Sequence, residues 1–222
     1  MIDVLTSMAV IMVLIAILLP SLGTVRETAR RVVCGSNVRQ IGLGLAMYAD
    51  DYERFLPPSR FAVPSQNAAH QSTLVRASTP ATATGQSVWD GVGLLYQFDY
   101  INAPGVFYCP SHHGEHPYAR YAAQWPVPGT EIRSNYQFRV GAGSYLEGEG
   151  ALIADALRTQ ADFNHRIGCN FLRRDLSATW YVDSVGSLVN SLPASESDVQ
   201  ASTRVQSAWQ HLDLIGADGG PN

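Results

Sequence analysis

Three groups of residues carry the side chains and spacings that can do chemistry. The run Cys109-Pro-Ser-His112-His113-Gly-Glu115-His116 places one thiol and three imidazoles within eight positions. Cys109 with His112, or His113 with His116, has short metal-ligand spacing, and a thiolate with three imidazoles fills a tetrahedral zinc shell. A solvated loop following a strand accounts for the same histidines without a metal. The second group is His165, Asn170 and Asp175, with Asp155 at the end of a candidate strand. A carboxylate that fixes a histidine tautomer begins a hydrolytic constellation, whereas a hydrogen-bonded brace across a hairpin uses the same residues structurally. The third is Asp3, at the head of the uncharged run Val4 to Leu19. A carboxylate beside an apolar helix is costly unless it stays at a water interface or meets a cation. Its plainer role is to face water and the positive end of the helix dipole.

Composition removes whole classes of activity. All fifteen basic residues are Arg, so the chain supplies no P-loop lysine, Schiff-base lysine or Ser/Lys dyad. It has neither a G-x-S-x-G elbow nor an H-E-x-x-H pair, and the enzyme reading lacks a centre. The formal net charge of -4 gives no footprint for nucleic acid. No cofactor is required; zinc at Cys109, His112, His113 and His116, and calcium at Glu147, Glu149 or Asp183, are the ion readings left open. Trp89, Trp125, Trp180 and Tyr181 read either as core and rim aromatics or as a sugar-binding face. Cys34, Cys109 and Cys169 form no C-x-x-C pair, so one disulfide with a free thiol and three buried small hydrophobes both fit.

The elements that must position these groups begin with a helix. Sixteen residues from Val4 to Leu19 rise about 24 Å, near the ~30 Å hydrocarbon core once flanking residues contribute. A signal-peptide core has similar length, yet no basic segment precedes this run and no A-x-A site follows it. Pro20 is expected to kink the helix. Beyond it, Leu22, Val25, Ala29 and Val32, then Cys34, Val38, Ile41, Leu45, Tyr48 and Tyr52, recur at helical spacing. Gly35, Gly42 and Gly44 each weaken a helix by about 1 kcal/mol relative to Ala, so tertiary packing must hold its second half. The expected division is a membrane or filament-core helix over 1–24, an amphipathic continuation over 25–56, and a globular head over 57–222. Within the head, 62–87 is nearly free of large apolar residues and reads as a long disordered-like loop. Trp89, Leu94, Leu95, Tyr96 and Phe98 suggest a short helix, while Gly105 to Cys109, Asn135 to Val140, Ala151 to Ala154, Cys169 to Arg173 and Ala178 to Val182 suggest strands, the last two as a hairpin. Ser195 with Asp198 resembles a capping box ahead of a C-terminal helix through Val199, Val205, Trp209 and Leu212. The fold class is α+β: a long N-terminal helix on a small antiparallel sheet, with a C-terminal helix.

With these residues in view, the chain resembles type IV pilin-like proteins, in particular pseudopilin-like proteins of the planctomycete-type subgroup. Ile2-Asp3-Val4-Leu5 and its apolar run resemble the start of mature pilins, with Asp3 at the acidic position and Pro20 at the kinking proline. Cys34-Gly-Ser-Asn37-Val-Arg39-Gln40-Ile-Gly42-Leu is similar to the family's C-x-x-N-L-R-Q-I-G-L pattern. Gly93-Leu-Leu-Tyr96 and Val106-Phe-Tyr-Cys109-Pro110-Ser111 match a further block, and His165 and Asp175 stand ten apart as in an H-x9-D-G motif, with Leu176 in place of Gly. A Leu in a positive-φ turn position costs about 1 kcal/mol or more. Pilins carry a basic leader and a methylated first residue, so Met1 aligns inside the mature segment; either the start lies further upstream or this copy escapes normal processing.

The resemblance implies a non-enzymatic subunit of a type II secretion pseudopilus or type IV pilus-like filament. Its partners would be copies of itself, other pilin-like subunits, an inner-membrane assembly platform and a prepilin peptidase. The helix would sit in the bacterial inner membrane with the body outside the cytoplasm, although the Arg residues following the helix argue alone for a cytoplasmic body. Asp3 would pair with the N-terminal amine of a neighbouring subunit. The alternative is a membrane-anchored extracytoplasmic domain that binds a metal or ligand, or hydrolyses a substrate, through His112, His113 and His116.

Overall fold

The computed structural model describes residues 2–59, 73–78, 87–139, 146, 148–155, 157–195 and 197–215. Helix α1 spans Ile2–Asp51, about 75 Å of helix at 1.5 Å per residue. Its arms Asp3–Ile17 and Leu22–Asp51 meet at 41° across a break that contains Pro20, the residue type that removes a helix hydrogen bond. Among the described residues no single helix is long and apolar enough to cross a membrane; the two arms pass that test only together, as a bent pair. The helix closes through Glu53 and Arg54, both at positive φ, with the Arg54 amide donating to the Ala49 carbonyl.

The stripe along α1 divides at Cys34. Cys34, Val38, Ile41, Leu45, Tyr48 and Ala49 are buried, whereas Leu22, Val25 and Val32, expected on the same stripe, are exposed. At about 100° per residue, the set 25, 29, 32 lies roughly 200° from the set 27, 31, 34. The apolar stripe therefore changes sides of the helix, and only its second part faces the body.

That part lies on an antiparallel sheet of order β4-β5-β6-β7: β4 Tyr136–Phe138, β5 Ala151–Asp155, β6 Gly168–Arg173 and β7 Ala178–Val182. The period of two sorts β6 between two layers. Asn170 and Leu172 turn to α1, while Cys169 and Phe171 join a second apolar cluster with Val205, Ala208, Trp209 and Leu212. These last four belong to helix α5, Ala201–Leu214, which Asp213 pins by accepting from Arg139 Nη1 at 2.7 Å and from the Ala151 amide at 2.8 Å. Helices α2 Gly93–Gln97, α3 Tyr118–Tyr121 and α4 Ser187–Ser191 are short. A second sheet of order β2-β1-β3 joins β1 Leu74–Ser78, β2 Ser87–Trp89 and β3 Ile132–Arg133.

Several expectations need correction. The stretch 62–87 is not loop throughout: Leu74–Ser78 forms the central strand of the second sheet, with Leu74, Val75 and Ala77 buried. Its Arg76 is also buried, satisfied by the carbonyls of Gln124, Trp125, Val127 and Thr130 and stacked 4.9 Å from the Trp89 ring. The remainder, 62–72 and 79–86, lies outside the described residues. Gly105 to Cys109 is not a strand, since Pro104–Phe107 is a 3-10 turn. The Ser195–Asp198 capping box is not formed: Ser195 Oγ meets Ser197 Oγ, α5 starts at Ala201, and Val199 stands in solvent. The hairpin between β6 and β7 does form, with Leu176 itself at φ 66°. Asp175 supports that turn by accepting from the amide and hydroxyl of Ser177.

Close backbone approaches fix two glycines. A Cβ on Gly42 would stand 2.9 Å from Cδ1 of the fully buried Leu172, which sets how near α1 lies to β6. A Cβ on Gly93 would stand 2.0 Å from the Val75 carbonyl oxygen, a backbone atom that no rotamer change relieves. Gly93→Ala is expected to lower unfolding stability by about 3 kcal/mol or more, measured by urea titration, while Gly105→Ala, with nothing within 4 Å, stays within about 0.5 kcal/mol.

Candidate functional site

Where α1 crosses the sheet, four side chains that could ligate a metal converge. Cys34 comes from the helix, Cys109 from the loop after the Pro104–Phe107 turn, Asp155 from the end of β5 and His165 from the loop entering β6; all four are buried, with their donor atoms within 4.8 Å of one another. The Cys34 thiol donates to Asp155 Oδ2 at 2.7 Å, Cys109 Sγ lies 3.4 Å from His165 Nε2, and that nitrogen is 3.2 Å from Asp155 Oδ2.

A ring of further hydrogen bonds holds each of the four in place. His165 Nδ1 faces Glu27 Oε1 at 2.6 Å, and Ser111 Oγ donates to the same carboxylate. The Asn170 amide donates to Asp155 Oδ1 at 3.0 Å, with Asn170 Nδ2 3.3 Å from Oδ2. Asn135 Oδ1 accepts from the Cys109 amide, and the Tyr136 hydroxyl donates to Cys34 Sγ at 3.3 Å. The Trp180 ring stands edge-on to His165 at 5.4 Å and carries the Arg31 guanidinium 4.5 Å from its centre.

Burial disfavours charge throughout this site, and partners decide which groups keep it. Burial opposes the His165 cation, but its hydrogen bonds to Asp155 and Cys34, with the Asp155 charge, outweigh it, pushing its pKa up to about 11. Glu27 is raised by its partial burial and lowered more by His165 and Ser111, ending below the usual carboxylate value. Burial, reinforced by Cys109 and Asp155, keeps Cys34 a thiol well above its ordinary range. An imidazolium thus lies between the carboxyl groups of Glu27 and Asp155.

The structure joins some of the expected residues and separates others. His165 and Asn170 do meet Asp155, but Asp175 lies at the exposed hairpin tip beyond the far end of β6. Six strand residues at about 3.3 Å each separate the two motif positions. Asn37 Nδ2 binds the Tyr108 carbonyl, while Arg39 and Gln40 are exposed. Pro110 follows Cys109 in the turn closed by the His112 amide donating to the Cys109 carbonyl at 3.2 Å. Asp183 accepts from Ser187 Oγ and the Leu188 and Val189 amides and so caps α4; Glu149 is exposed, and Glu147 lies outside the described residues. The aromatics do not form one face. Trp125 is core, packed with Trp89, Tyr96 and Phe107, whereas Trp180 covers His165 and Tyr181 meets His211. Glu27 and Tyr136 escaped the sequence reading, although Glu27 precedes Cys34 by two helical turns on the docking face.

The zinc reading left open for Cys109, His112, His113 and His116 finds no such cluster among the described residues, where Cys109 instead joins Cys34, Asp155 and His165. His112 Nδ1 faces Asn164 Oδ1 at 2.7 Å and its Nε2 accepts from the His116 amide. His116 Nδ1 faces the Tyr121 hydroxyl at 2.7 Å and its Nε2 accepts from Arg158, which also binds Asp162 at 2.8 Å. Burial and the neighbouring Arg158 lower the pKa of His116 to about 3; burial lowers His112 too. An unfolded His titrates near 6.5, so between pH 6.5 and about 3 the unfolded chain binds more protons. Stability should therefore fall with falling pH by up to about 1 kcal/mol per pH unit below 6. His116→Gln should flatten the slope between pH 6.5 and 4.5, measured by urea midpoints; an unchanged slope would contradict this assignment.

Residues 23–151 match the model of the family described as a protein of unknown function (DUF1559). The match covers more than half of the 222 residues and includes Glu27, Cys34 and Cys109. No curated protein and no solved structure matches the chain. The chain belongs to the DUF1559 family.

Proposed function

We propose that this protein is a structural subunit of a type II secretion pseudopilus or type IV pilus-like filament, assembling through its N-terminal helix. The observation that carries the reading is the solvent exposure of the apolar half of α1. Val4, Leu5, Met8, Val10 to Ile15, Ile17, Leu19, Leu22 and Val25 are all exposed, while burial begins in earnest at Cys34. A helix apolar on every side needs apolar surroundings on every side, which lipid or a bundle of like helices provides. A pilin-like subunit uses both in turn, stored in the inner membrane and then packed in the filament core, with its body outside the cytoplasm. A filament subunit also has no need of catalysis.

Asp3 fits the same reading. Among the described residues its carboxylate has no ion-pair partner, and an apolar bundle would supply one as the N-terminal amine of a neighbouring copy. The runner-up, a membrane-anchored metal- or ligand-binding domain, draws its support from the buried Cys34, Cys109, Asp155 and His165 cluster. Its burial favours a structural role for those residues over turnover of a substrate.

Asp3→Ala is expected to leave the melting midpoint of the body unchanged and to abolish recovery of the chain in sheared or cross-linked filaments, with Asp3→Glu retaining it. Incorporation of the Ala variant at the wild-type level would sink the filament reading. Separately, Ile11→Asp places a charge that costs about 3 kcal/mol at the centre of a membrane helix, so the chain should shift from the membrane to the soluble fraction on flotation. Unchanged flotation would contradict membrane storage of this segment.

A further inference from the structure

We propose that Cys34, Cys109, Asp155 and His165 bind one divalent transition-metal ion of the zinc type, and that this ion ties helix α1 to the sheet. The proposal is independent of the filament reading. Two thiolates, one imidazole and one carboxylate make a four-donor set of the kind that selects zinc over calcium or magnesium, which take oxygen shells. The set carries the same net charge with a dication as a Cys3His shell.

The four donor atoms, all within 4.8 Å of one another, lie within reach of a tetrahedral shell. Metal bonds of about 2.0–2.3 Å place donors roughly 3.3–3.8 Å apart. The Cys109–His165 and His165–Asp155 separations, 3.4 and 3.2 Å, are already near that range. The Cys34–Asp155 pair, at 2.7 Å, has to open by about 1 Å. Binding exchanges the thiol protons of Cys34 and Cys109 and the Nε2 proton of His165 for the ion, releasing three protons to solvent.

The surrounding contacts are those a metal site requires. Glu27 holds His165 Nδ1 at 2.6 Å, which leaves Nε2 as the ligating nitrogen, the carboxylate–histidine arrangement that orients and strengthens a metal ligand. Asn170 fixes Asp155, Asn135 fixes Cys109 through its amide, and Tyr136 reaches Cys34. A simple Cys34–Cys109 disulfide would use neither Asp155 nor His165 and would account for none of these supports. Cys169 supplies an internal control, since it is buried in the other apolar cluster, on the α5 side of the sheet.

The test is metal analysis of the full chain purified with its thiols reduced, followed by replacement with cobalt(II). One zinc per chain is expected, and the cobalt form should show thiolate-to-cobalt charge-transfer absorption with the intense visible bands of a tetrahedral site. Cys169→Ala should keep both signals. Cys109→Ser should lose the charge-transfer intensity in proportion to one thiolate and weaken zinc binding at least tenfold. Glu27→Gln, outside the ligand set, should weaken it by about 10- to 100-fold. If a ligand variant fails to fold, the cobalt spectrum of the wild-type chain still decides. A reduced, folded chain that takes up neither zinc nor cobalt would overturn the proposal, as would a Cys34–Cys109 disulfide found by peptide mapping in the metal-free native protein.

Discussion

A buried ion pair is the constraint on which the rest of this fold depends. Asp155 is fully buried and the His165 side chain is 1% exposed, so neither can be left without a partner at a cost below several kcal/mol. Their compensating groups come from elsewhere: Glu27 and Cys34 from α1, Cys109 and Ser111 from the loop before α3, Asn170 from β6. Burial of this pair therefore demands that helix, loop and sheet assemble together. Apolar packing alone, through Val38, Ile41 and Leu45, would hold α1 on the sheet with less control over its rotation and slide. A polar cluster with four contributing segments specifies one register.

That register separates two jobs within a single helix. From Glu27 onward α1 belongs to the body, and before Val25 it stands clear of it. The change of face of the apolar stripe near residues 25–34 makes this division physical, because a helix cannot present both stripes to one sheet. Arg31 spends its charge over the Trp180 ring, at the edge of the polar cluster, instead of extending the apolar arm.

Much of the architecture was legible in the sequence because short apolar runs, period and punctuation are local signals. The short strand runs of β5 to β7, buried on both faces in β5 and β6, the helical spacing from Cys34 to Tyr48 and the hairpin around Asp175 all follow from residues close together in the chain. Strand β1 was missed because its central Arg76 breaks the apolar pattern, and the carbonyls that satisfy it lie some fifty residues away. The cluster was legible only in pieces. Cys34, Cys109, His165 and Asn170 each stood out, yet Cys109 was grouped with the histidines that follow it. The turn at Pro110 sends those histidines toward Asn164, Tyr121 and Arg158 instead. Cys34 and Asp155 are 121 positions apart, and no spacing rule connects residues at that distance.

The most direct test of this dependence is a double-mutant cycle between Cys34→Ala and His165→Gln, by urea unfolding of the full chain in mild detergent with chelator present. If the polar cluster acts as one unit, the two changes should be non-additive by about 1 kcal/mol or more. Additivity within about 0.5 kcal/mol would mean that α1 is held by apolar packing alone, and would contradict the account.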